Sequence, residues 1–256
     1  MSGEAAGRGR RARLAIFCVG GAGVAVLFGL AVFGLPAPGG DDHPYRDRAV
    51  PAAVSHGTAN VVSSVNFDLR AMDTLGEEAI LFASVLGVAA LARPTTGENE
   101  RRLRAPREQV LDAARATAAV FFPVTLVVGL DVVLHGALTP GGGFQGGVIL
   151  GTGIHLVYIA GGYRALLRVR PLDVFEHGEA VGMGAFVAAG VAALLVGGSF
   201  LGNVVPTGRL GSLTSSGTVE LLSLAVGVEV ASAVVVLLAA FLTQLLEIGD
   251  RPEADQ

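Results

Sequence analysis

The sequence contains no lysine and no tryptophan, has one cysteine, and only 16% of its residues are charged. Each shortage excludes something. With Cys18 alone, neither an internal disulfide framework nor a cysteine-based metal site can form. Without lysine, the chain cannot supply the buried ammonium group that proton relays often use. All 18 basic residues are arginines, and they fall in short blocks rather than a continuous basic face, which argues against a nucleic-acid partner. Set against these shortages, apolar residues make up 52% of the chain and the mean hydropathy is +0.61. The chain therefore reads as an all-α, polytopic integral membrane protein.

Six stretches approach the length of about 20 apolar residues that a bilayer-spanning helix needs. They lie near 14–35, 75–92, 116–138, 146–163, 179–201 and 218–246. In a six-span arrangement fourteen arginines share one side: Arg8, Arg10, Arg11 and Arg13, then Arg93, Arg101, Arg102, Arg104, Arg107 and Arg115, then Arg164, Arg168 and Arg170, and finally Arg251. The other side holds Arg46, Arg48 and Arg209, with Arg70 at its boundary. The positive-inside rule then puts both termini in the cytoplasm. The first apolar run is too long for the core of a cleaved signal, so it is expected to remain as a helix. Residues 36–60 read as an outer loop rich in proline, glycine and small residues. Four parts follow: a two-helix segment over 1–93, a cytoplasmic linker over 94–112, a four-helix domain over 113–248 and a polar tail over 249–256.

Between the third and fourth runs stands Leu138-Thr139-Pro140-Gly141-Gly142-Gly143-Phe144-Gln145-Gly146-Gly147, with five glycines in seven positions. Its Gly141-x-Gly143-x-x-Gly146 spacing matches a dinucleotide loop only superficially. That loop needs a strand before it and a soluble βαβ unit around it. An apolar helix precedes it here, so the run reads as a membrane hairpin turn. Pro140, Gly141, Gly142, Gly143, Phe144, Gly146, Gly147 and Gly151 form a packing motif. Within it, Gly143, Gly147 and Gly151 are spaced by four and let a neighbouring helix approach closely. Gly178 and Gly182 repeat that spacing once.

Ionisable residues in the apolar runs are the candidates for an ion path, because such groups are costly to keep in a membrane. They are Asp73, Glu77, Glu78, Asp131, His135, His155 and Glu229. Asp73 and Glu77 share a helix face, and Glu78 points about 100° away. Thr74-Leu75-Gly76-Glu77 also fits a capping box, with Thr74 at the start of the helix. The two roles are compatible. Asp68 and Arg70 read as an interfacial pair. Asp131 and His135 lie four apart and suit either proton exchange or a polar contact between helices. His155 suits donation to a carbonyl of a neighbouring helix. Glu229, near mid-span, must be protonated, paired or facing water. Glu176, His177 and Glu179 read as solvated at a cytoplasmic mouth. No metal site, cofactor site or nucleophile constellation is visible, so an enzyme is the weaker alternative.

The run His135-Gly136-x-x-x-Pro140-Gly-Gly-Gly-Phe144-Gln145-Gly146-Gly147, after an apolar helix, resembles the MnhB/MrpB subunit family of multisubunit Na+/H+ antiporters over roughly 110–248. Asn60-Val61-Val62-x-x-Val65-Asn66 and Asp68-Leu69-Arg70-Ala71-Met72-Asp73-Thr74-Leu75-Gly76-Glu77 resemble the MbhE-type segment that ends the large A-type polypeptide of the same systems. Two departures stand out. Ala137 replaces a second histidine, and Glu229 stands one helical turn beyond Ala225, where the family carries an aspartate. The resemblance implies a cell-membrane subunit that packs against other antiporter subunits, with Na+ and H+ as transported ions and the lipid bilayer as its surroundings. A subunit of a related membrane-bound hydrogenase or complex-I-like assembly is the other reading it allows.

Overall fold

The computed structural model describes residues 2–35, 40–92, 110–169, 172–196 and 198–249. Within these, side chains 2–8, 12, 159, 162–169, 172–173 and 242–249 fall outside the description. Most of the expected 94–112 linker and all but the first residue of the 249–256 tail lie outside the described residues, as do the side chains of Arg8, Arg93, Arg101, Arg102, Arg104, Arg107, Arg164, Arg168, Arg170 and Arg251.

All regular structure among the described residues is helical. The helices are α1 Ser2–Phe33, α2 Pro44–Ser55, α3 Val61–Ser64, a π-helical turn over Val65–Leu69, α4 Ala71–Leu91, α5 Asp112–Leu134, α6 Gly143–Val169, α7 Leu172–Leu195 and α8 Thr218–Gly249. Five segments are long and apolar enough to cross a membrane: Gly9–Phe33, Ala71–Leu91, Asp112–Leu134, Val174–Leu195 and Thr218–Phe241. The protein is thus a multi-pass membrane protein. The span expected at 146–163 falls within the 27-residue helix α6 and is not among the five.

The chain divides into two compact units, Met1–Tyr45 and Arg46–Gln256. The first is dominated by α1, whose described apolar side chains, Leu14, Ile16 and Phe17 among them, are exposed. Part of the expected outer loop is helical. Pro44 opens α2, where a missing N–H costs nothing, and Asp47 sits in the first turn, where the helix dipole favours an acid.

In the second unit α8 is the centre. It packs against α4, α5, α6 and α7. A core of Phe67, Ala71, Phe186, Leu201, Val219, Leu222, Val226 and Val230 joins the π turn, α4, α7 and α8. Glycines decide how closely the helices meet. A Cβ at Gly147 would lie 2.8 Å from Val230 Cβ, and one at Gly151 would lie 3.0 Å from Val234 Cβ, so this stripe of α6 rests directly on α8. On another face of α6, Gly153 meets Thr125 at 2.8 Å, while Gly129 of α5 meets Leu150 at 2.8 Å. One helix therefore presents glycine to two partners.

The glycine run makes the hairpin between α5 and α6. Gly141 and Gly142 adopt φ of 150° and 122°, conformations that L side chains rarely take. The Gly142 N–H closes the turn onto the Val132 carbonyl at 3.1 Å.

Candidate functional site

Three helices bring carboxyl groups together in the interior. On α4, Ala71, Thr74, Glu78 and Val85 form one buried stripe at three- and four-residue intervals. On α8, Leu222, Val226, Glu229, Ala233 and Val236 do the same, and on α7 so do Glu179, Phe186 and Ala193. Each glutamate therefore lies on the face its helix turns to the core. Glu78 and Glu229 are fully buried and Glu179 is 2% exposed.

Glu78 and Glu229 face each other, and Glu179 faces Glu229. Neither oxygen of Glu78, neither oxygen of Glu229, nor Oε1 of Glu179 has a hydrogen-bond partner of good geometry among the described residues. Gly182 makes room for the arrangement, since a Cβ there would come within 2.7 Å of Glu229 Cβ. A buried carboxylate without partners is among the costliest groups a fold can hold. A protonated one can donate to its neighbour and satisfy both.

Glu77 and Asp73 lie on the other face of α4. Both are exposed, and they line a cavity of about 200 Å³ with Val65, Asn66, Arg70 and Thr74. Arg70 pairs with Asp73 across this cavity.

Several expectations change here. Thr74 does not cap α4, because the helix begins at Ala71, and the Thr74 hydroxyl donates to the Asn66 carbonyl at 2.7 Å. The π turn delivers the chain into α4 one turn early, which turns Thr74 inward. Asp68 and Arg70 do not pair with each other. Asp68 takes His56 at 2.5 Å, and Arg70 takes Asp73. Glu176 and His177 are exposed as expected, whereas Glu179 is not solvated. Helix α7 begins at Leu172, well before 179, and so carries Glu179 into the core.

The remaining candidates stand apart. His135 Nδ1 lies 3.0 Å from Asp131 Oδ1, a pair within one helix end rather than between helices. His155, half-buried on α6, points at the Val234 backbone of α8, and its Nε2 is buried without a partner. Sequence reasoning passed over Glu220. Half-buried on α8, it accepts from the Ala137 N–H at 3.3 Å and faces His135. Its position one turn from an interhelical glycine hairpin gives no sequence signal.

The hairpin turn is also tied to the front of the unit. Asn60 caps α3 by accepting from Val62 and Ser63, and its amide donates to the Gly136 and Thr139 carbonyls, both at 2.8 Å. Ala59 and Asn60 donate their N–H groups to the Ala137 carbonyl at 3.1 and 2.9 Å.

Residues 113–236 match the family model described as a domain related to the MnhB subunit of Na+/H+ antiporter. A Rhizobium meliloti protein, a probable K(+)/H(+) antiporter component of the combined A/B type, is 30% identical over 216 residues, which is 75% of this chain and 21% of that protein. The chain thus spans about a fifth of that relative's length. An uncharacterized protein of Methanocaldococcus jannaschii is 28% identical over 229 residues, 81% of this chain and 83% of that one. Among solved structures, a chain of the membrane-bound sulfane sulfur reductase, an archaeal respiratory membrane complex, superposes with a TM-score of 0.65 at 27% identity. That match covers 90% of this chain and 97% of the other. A chain of the Mrp complex from a Dietzia species shares the fold, with a TM-score of 0.64 at 24% identity over 96% of this chain and 27% of that one.

Proposed function

Because residues 113–236 form a domain of the MnhB family, we propose that this chain is a subunit of a multisubunit cation/proton antiporter in the cell membrane. It assembles with other subunits of the complex and does not act as an enzyme on its own. Its role is to brace those subunits and to contribute buried carboxyls to an ion or proton path, with Na+ and H+ as the exchanged ions. The observation that carries this reading is the meeting of Glu78, Glu229 and Glu179, three membrane-embedded carboxyl groups from three helices with unpartnered oxygens. A scaffold alone has no use for groups so costly to bury. The front segment, residues 1–93, belongs to the same working unit as the MnhB-like domain, which agrees with the bonds from Asn60 to the hairpin turn.

A second reading has its own support. The match to the sulfane sulfur reductase complex covers nearly the whole of that chain. A redox-driven membrane assembly is therefore the alternative host for this protein. Affinity purification of the tagged chain from native membranes separates the two. Large antiporter subunits alongside it, with cation-dependent proton exchange in vesicles, are the expected result. Flavin- or iron–sulfur-bearing partners without such exchange would replace the antiporter reading with the redox one.

A further inference from the structure

The buried carboxyls form an ordered series through the second unit. The Ala71 end of α4, the Leu195 end of α7 and the Thr218 end of α8 lie on one side. The core residues Ala71, Leu201 and Val219 join them there, and Ser216 Oγ donates to the Gly57 carbonyl at 3.1 Å. Counting at about 1.5 Å per helical residue from those ends puts Glu78 about 10 Å deep, Glu229 about 16 Å and Glu179 about 24 Å.

Two further glutamates extend the series. Glu77, next to Glu78, opens to the cavity beside Asp73. Glu176, one turn beyond Glu179 toward the opposite end of α7, is exposed. Each member acts electrostatically on the next: Glu77 on Glu78, Glu229 on both Glu78 and Glu179, and Glu176 on Glu179. The two ends are exposed and the three central groups are buried.

Taking the chain as a membrane subunit of an ion-translocating complex, we infer that Glu77, Glu78, Glu229, Glu179 and Glu176 form a carboxyl relay that carries protons across this single polypeptide. In each hop the O–H bond of a protonated carboxyl breaks as one forms on the next carboxylate, directly or across one water. The donor becomes the carboxylate that accepts the following proton, so charge and protons balance. The unpartnered oxygens of Glu78, Glu229 and Glu179 are the free acceptor positions such hops need. Among the described residues, no group of three or more acidic, histidine or cysteine side chains converges closely enough to hold a metal ion. That geometry suits a proton better than a dehydrated Na+, which calls for several oxygens at once.

Carbodiimide labelling of the purified native complex tests the relay, because dicyclohexylcarbodiimide adds to protonated carboxyls in apolar surroundings. Mass spectrometry should find the adduct on at least one of Glu78, Glu229 and Glu179, and 100 mM Na+ should leave its yield within twofold. Absence of label from all three overturns the relay, and so does near-complete protection by Na+, which would make the cluster a cation site. In membrane vesicles, Glu229→Gln should cut proton translocation at least tenfold with the complex intact, while Glu229→Asp keeps most of it. Should Glu229→Gln fail to assemble, Glu78→Gln serves the same purpose. Undiminished translocation in an assembled Gln variant overturns the inference. The labelling is independent of which reaction drives the complex, so loss of the antiporter reading and loss of the relay give separate results.

Discussion

Asn60 Nδ2 donates to the Gly136 carbonyl at 2.8 Å, across 76 positions of sequence. With its second bond to Thr139, it ties the short helix α3 to the hairpin that joins α5 and α6. One amide thereby caps a helix and occupies two carbonyls of a turn whose glycine-rich backbone has few side chains to hold it.

Replacing that amide should loosen the turn. Asn60→Ala removes the cap and leaves both turn carbonyls without this donor, for a destabilisation of about 2–3 kcal/mol. Asn60→Asp keeps the acceptor that caps α3 but loses both donations, so its loss should be intermediate. Thermal unfolding of the detergent-solubilised protein would rank the three. Equal midpoints for wild type and Asn60→Ala would show that the turn holds without this residue.

Gly147→Leu should block assembly. The added Cβ alone would stand 2.8 Å from Val230 Cβ, and the rest of the side chain would push α6 off α8. Overpacking of this kind typically costs about 1–3 kcal/mol or more. Recovery of partner subunits with the tagged chain should fall severalfold, whereas leucine at Gly184, which has open space around it, should leave recovery unchanged. Full recovery of the Gly147→Leu complex would remove the packing role.

The helical architecture and the glycine hairpin were legible because both depend on local pattern: long apolar runs, and a cluster of residues without side chains. The buried carboxyls were only half legible. Glu78 follows Ala71 and Thr74 at seven and four residues and precedes Val85 by seven, so the period alone places it on the core stripe. The capping-box reading drew attention to Glu77 instead. Glu179 was obscured by the start of α7, an element boundary that the sequence marks weakly. That Glu78, Glu229 and Glu179 meet depends on how three helices dock, and a single sequence carries no direct signal of that.

Membrane topology gives a separate prediction. An odd number of helices, α5, α6 and α7, separates residue 100 from residue 210. Single cysteines introduced at these positions, in a background lacking Cys18, should react with an impermeant maleimide from opposite sides. The arginine asymmetry predicts position 100 in the cytoplasm and position 210 outside. Labelling of both from the same side would break the six-span arrangement with cytoplasmic termini.

Glu77 and Thr74 lie one turn apart at the same cavity and should fail in different ways. The Thr74 hydroxyl holds the π turn to α4 through the Asn66 carbonyl, so Thr74→Val should cost about 1 kcal/mol of stability and leave the exchange rate of the surviving complex unchanged. Glu77 makes no such contact, and its exposed carboxyl lines the cavity beside the Arg70–Asp73 pair. Glu77→Gln keeps the size and hydrogen-bonding capacity of the side chain and removes only its charge. It should therefore lower cation-dependent proton exchange in vesicles severalfold with assembly and thermal stability intact, and Glu77→Asp should restore most of it. Measured across external pH, the Gln variant should fall furthest where protons are scarce, because a carboxylate at the mouth of a buried path matters most when it must gather them. Unchanged exchange at every pH would mean that protons do not pass Glu77. A loss of stability matching that of Thr74→Val would assign the residue to the fold.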